Sequence, residues 1–167
     1  MVVREAGVVF RGFILVKRSY HKTTKGKIDP DLRSGLLSAI LSFAESFFKD
    51  NSVEYFEGKK FSFILINDKI LSEDGVEPEV LTAYAILDYE KRIEKYMRKI
   101  VIPLLKKVLS EFKSLNDGKN LSEVTQFKYF KKTLDLIFGS DTQTIDQKLK
   151  RVFSEPVGEE EIEEEED

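Results

Sequence analysis

Apolar positions in the first twenty residues suit extended chain. VVREAGVVF and GFILVKRSYH are rich in β-branched and aromatic residues, and Arg11-Gly12 between them fits a tight hairpin turn. After the loop HKTTKGKI, Asp29-Pro30 marks a helix start: the carboxylate can accept orphan amide hydrogens, and proline suits the first helical position. Leu32, Leu36, Leu37, Ile40, Leu41, Ala44, Phe47 and Phe48 then recur at three- and four-residue spacing. This predicts a helix ending near Lys49, with an apolar stripe to lay on a sheet. A second hairpin is predicted in SVEYFEGKKFSFILIND, where Gly58 separates two strand-like runs. In the second run Phe61, Phe63 and Leu65 alternate against Ser62, Ile64 and Ile66.

A polar connection, KILSEDGVEPEV, leads to LTAYAILDY, a strand apolar on both sides and therefore expected deep in the sheet. A long helix is expected from Tyr89 to Ser114, with Pro103 removing an amide donor and kinking it. Its apolar side would carry Ile93, Tyr96, Met97, Ile100, Leu104 and Phe112. Two shorter helices follow. SEVTQFKYFKKTLDLIF has Ser122 near the cap and Gly139 just past the end, and TQTIDQKLKRVF is the weaker pattern. The order β-β-α-β-β-β-α predicts an α+β fold: about five mostly antiparallel strands covered by helices, with extra C-terminal helices. One domain is expected over residues 1–157, with its core at 2–138 and a helical extension at 139–157.

Charge changes the picture at the end of the chain. Glu159 to Asp167 holds eight acids, so the 27 Lys and Arg elsewhere face 22 acids, a net of +5. Residues 158–167 are expected to form a solvated acidic tail, serving solubility or folding back onto a basic face. No run approaches the roughly 20 apolar residues needed to span a bilayer, and the opening MVVREAG lacks a signal peptide's apolar segment, so a soluble cytoplasmic protein is expected. High Lys and Glu with 0 Cys and 2 Met is the composition of hyperthermophile proteins.

That composition also excludes chemistries. Without cysteine there is no thiolate nucleophile, disulfide or cysteine-bound metal, and one histidine, His21, cannot build a histidine cluster. The glycines form neither a Walker loop nor a GxGxxG turn, so no cofactor is expected. The acids at Asp29 and Asp31 already occupy the one helix start that could offer itself to an anion. Glu54 with Glu57, or Asp68 with Glu73, could be paired carboxylates, but nothing sets either pair apart from acids that face water. The candidate binding surface is the long helix: at 100° per residue Lys91, Lys95, Arg98, Lys99, Lys106 and Lys113 fall within an arc of about 100° if the helix is straight. Glu90, Glu94 and Glu111 interrupt it, and a solvated charged face is the plainer reading. Phe10, Phe13, Phe61 and Phe63 read as sheet residues under helices rather than a base-stacking platform, so nucleic acid is not expected.

The order of elements, with IDPDLRSGLLSAILSFAESFF, VEYFEGKKFSFILIND and LTAYAILDYEKRIEKYMRKI, resembles the longin and roadblock branch of profilin-like domains, over roughly residues 2 to 138. Ile28 to Phe48 in particular looks like longin-type domains of archaeal proteins. The resemblance implies a non-enzymatic adaptor: a homodimer, or a partner of a small GTPase or a membrane-associated complex. A PAS-like small-molecule sensor and a binder of nucleic acid or anionic membrane remain as alternatives.

Overall fold

The computed structural model describes residues 3–21, 53–58 and 61–139, together with Gly35 and Ala39, which are both helical. Apart from those two residues, the helix expected after Asp29 lies outside the described residues, as do TQTIDQKLKRVF and the acidic tail.

The opening hairpin forms as its residues dictate. β1 (Val3–Phe10) and β2 (Phe13–Ser19) pair antiparallel, with Val8 opposite Val16. Between them Arg11 and Gly12 take φ of 50° and 75°, the left-handed pair with which a two-residue turn follows the strand twist. β3 (Val53–Glu57), β4 (Phe61–Ile70) and β5 (Glu79–Asp88) complete one sheet in the order β2-β1-β5-β4-β3, antiparallel throughout. β5 is central and buried from Leu81 to Leu87, which explains a run with no polar alternation. β4 and β5 reach further into KILSEDGVEPEV than expected, Lys69 and Ile70 pairing with Val80 and Glu79. Asn67 accepts the Thr82 hydroxyl at 2.7 Å, and Asp68 pairs with Lys113.

Register divides the sheet into two faces. Ala6, Val8, Phe10, Ile64, Ala83 and Ala85 belong to the core shared with the helices. Val9, Leu65, Tyr84 and Ile86 form a second buried cluster. There Tyr84 stands opposite Gly7. A Cβ on Gly7 would come 2.7 Å from the Tyr84 ring and 2.6 Å from the Val16 carbonyl oxygen, so the ring lies over bare backbone. Its hydroxyl donates to Glu5 Oε1 at 2.9 Å, and the Ser19 hydroxyl donates to Oε2 at 2.8 Å. Glu5 is fully buried, and these hydroxyls offset part of the cost of taking a carboxyl out of water.

The long helix begins later than expected. Arg92, at φ 67°, sets its start, and α1 (Ile93–Tyr96), a π-helical turn (Met97–Val101) and α2 (Ile102–Asn116) follow without a break. Ile93, Met97, Val101 and Leu105 are buried at steps of four. In an uninterrupted α-helix three such steps would drift about 120° around the axis. The wider π turn takes up the surplus residue and keeps all four on the core. This corrects the expected apolar side: Ile100 is 37% exposed, Leu104 is half-buried, and Val101 and Leu105 take their places. The expected simple kink becomes that turn. The Ile102 amide reaches back to Met97 O, and Pro103, which has no amide, enters in the first turn of α2.

A 3-10 turn (Val124–Tyr129) leads into α3 (Phe130–Phe138), which stops at Gly139 with φ 45°. Ser122 does not cap it. Its hydroxyl donates instead to Asp74 Oδ2 at 3.0 Å. Phe112 of α2 meets Phe127 and Phe130 with ring centroids 5.3 and 5.1 Å apart, joining α3 to the core. Phe13, expected beneath helices, is 68% exposed, because it stands at the turn end of an edge strand.

Candidate functional site

Lys91, Lys95, Arg98, Lys99 and Lys106 are all exposed. Lys91 lies in the turn after β5, Lys95 in α1, Arg98 and Lys99 in the π turn and Lys106 in α2. The single arc of a straight helix does not survive, since the π turn separates the cations into two groups. Lys95 and Lys99 stand two positions from the buried Ile93, Met97 and Val101, hence on the opposite side, with Lys91, Arg92 and Arg98 near them in sequence and Ile100 exposed in their midst. Lys106 and Lys113 instead border a groove over Ile66, Asn67 and Asp68. Lys113 Nζ lies 3.0 Å from Asp68 Oδ2, so its charge is answered locally.

The upstream group adjoins the sheet's β3 edge. A groove of about 400 Å³ runs between Tyr55 and Glu57 of β3 and Tyr89, Arg92, Glu94 and Lys95 at the helix start. The Tyr89 hydroxyl donates to Glu57, whose charge pushes the phenol above its usual value. β3 is an edge strand, and Val53 and Phe56 are 40% and 36% exposed on it.

Two of the carboxylates weighed as pairs are engaged elsewhere. Glu57 accepts from Tyr89 and Asp68 holds Lys113. Glu73 sits in the loop after β4 with its amide on Lys119 O, and Glu54 is on β3 opposite Leu65. His21 follows β2, its amide bonded to Arg4 O at 3.2 Å. Among the described residues no group of three or more His, Asp or Glu is placed to hold a metal, and no helix is long and apolar enough to cross a membrane.

Sequence reasoning missed a polar network at the other end of the sheet. Arg11 donates to both Glu79 oxygens and to Asp74, at 2.9 Å for Nη1 to Oδ2, while the Ser72 and Ser122 hydroxyls also donate to Asp74. The Arg11 guanidinium, then these hydroxyls, hold the Asp74 carboxyl well below the usual carboxylate range. Arg11 also stacks 4.8 Å over the Phe10 ring. Its partner Asp74 is 63 positions away, a separation no local pattern reveals. Beside the network, Phe13, Leu15, Leu121 and Val124 line an apolar hollow. The chain matches no family model and no curated protein.

Proposed function

We propose that this chain is a non-enzymatic protein-interaction module of the longin and roadblock kind, acting as a homodimer that scaffolds a small GTPase or a membrane-associated complex. The observation that carries the reading is the β3 edge. A five-residue strand at the edge of the described sheet exposes Val53 and Phe56 beside the charged groove at the helix start. Edge strands of this kind invite pairing with another chain, and apolar side chains there strengthen it. The five-stranded antiparallel sheet clad by the long helix supports the family resemblance.

Light scattering at micromolar concentration tests the dimer. The expected mass is twice the 19.3 kDa of one chain, and Phe56→Lys should return it to one. A strict monomer for the unaltered chain removes the dimerising version. The exposed Lys91, Lys95, Arg98 and Lys99 favour a second reading, attachment to an anionic membrane. Binding to anionic vesicles that falls steeply with salt and disappears in Lys95→Glu/Lys99→Glu would establish it. The sensing alternative has less support, because Phe10, Phe112, Phe127 and Phe130 fill the helix side of the core.

A further inference from the structure

The cations at the start of the long helix and Gly139, where the described residues end, lie at one pole of the molecule. Phe138 at the end of α3 packs against Tyr20, with centroids 6.4 Å apart. The Tyr20 amide donates to Arg4 O at 2.8 Å, and Arg4 pairs with Asp88 at 2.6 Å. Asp88 ends β5, three positions before Lys91. A short chain of contacts therefore links Gly139 to the helix start. Nineteen residues separate Gly139 from Glu159, enough to cover roughly 65 Å fully extended and about 28 Å even if entirely helical.

The two surfaces also match in pattern. The tail reads Glu-Glu-Glu-Ile-Glu-Glu-Glu-Glu-Asp, with Ile162 its one apolar residue. The helix face has Lys95, Arg98 and Lys99 around Ile100, which is 37% exposed. Between Glu90 and Lys113 eight Lys and Arg face three Glu. We propose that residues 159–167 dock on this face of their own chain, with Ile162 against Ile100 and flanking glutamates on Lys91, Lys95, Arg98 and Lys99. Tethering makes the encounter intramolecular, at an effective concentration on the order of millimolar, and the docked tail occupies the face that an anionic partner would need. The tail is then a built-in competitor, displaced by a partner carrying more charge. This rests on charge and placement and stands whether or not the chain dimerises through β3.

The absence of cysteine permits a direct test. A nitroxide on Asp167→Cys in the full-length, isotope-labelled chain should reduce the Lys95–Lys99 amide signals to less than about half in roughly 0.05 M salt. They should recover in about 0.5 M salt, where the screening length falls to roughly 4 Å. Lys95→Glu/Lys99→Glu should abolish the effect and Ile162→Ser should weaken it, with the far-ultraviolet spectrum showing that both variants fold. Unreduced signals at low salt would falsify the docking. Mixing spin-labelled, isotope-free chains with labelled ones lacking the nitroxide separates self from partner: reduction in that mixture equal to that in the doubly labelled chain assigns the contact to a second copy and overturns the proposal.

Discussion

Gly7 and Tyr84 show how one missing side chain decides the second face of the sheet. The ring occupies the space that any Cβ at Gly7 would need, and its hydroxyl meets the buried Glu5 carboxyl. Gly7→Ala puts a carbon 2.6 Å from the Val16 carbonyl oxygen, a main-chain atom held in the β1–β2 ladder. The expected cost is about 1–3 kcal/mol, as for other overpacked cores, read as a lower urea midpoint with an unchanged slope. A variant as stable as the parent would show that the strand gives way more easily than this packing implies. The sequence gives Gly7 the look of an interruption in a strand, and nothing local marks Tyr84 as its cover, since the pair is made by register between β1 and β5.

At the scale of elements, the long helix holds one residue more than a regular α-helix needs. Its buried positions step by four from Ile93 through Met97 and Val101 to Leu105, then return to three-and-four spacing. Removing Lys99 makes the early steps four, three and four, the stripe of an ordinary helix. Pro103 would then strain a regular turn by about 3 kcal/mol. Deletion of Lys99 together with Pro103→Ala should therefore fold with a melting temperature near that of the parent. Deletion of Lys107 rotates Val108, Leu109 and Phe112 off the core and should leave the chain unfolded by circular dichroism. Equal damage from the two deletions would mean that the π turn does not serve this purpose. Both hairpins, the antiparallel sheet, central β5 and the stop at Gly139 were legible from β-branched runs, turn residues and apolar spacing. The π turn was not, because projection at 100° per residue assumes the regularity it breaks, and that assumption misplaced Ile100 and drew the cations into a single arc. The Ser122 cap failed for a different reason: a partner distant in sequence, Asp74, claimed its hydroxyl.

Across the whole molecule the two poles differ. One carries the exposed cations of the helix start and the edge groove. The other is fastened by Arg11, Asp74, Glu79 and Ser122, with further ties from the Glu73 amide to Lys119 O and from the Gly118 amide to Leu71 O. Because Asp74 is held below its ordinary value, its stabilising effect is complete above the unfolded carboxylate pKa of about 3.9 and is lost as pH falls through the folded value. The melting temperature should therefore drop on acidification below about pH 4. Arg11→Gln should lower it at neutral pH and make the acid drop shallower, as both states then bind the proton more alike. An acid profile unchanged by Arg11→Gln would show that other carboxylates dominate.

That fastening joins segments brought together from positions 11, 74, 79 and 122, and it can close only once the β1–β2 turn has met the loop after β4 and α2 has delivered the chain beyond Asn116. Contacts so distant along the polypeptide form late in folding. Their strength is therefore felt chiefly on the return journey, as a slower escape from the native state with little change in the speed of reaching it.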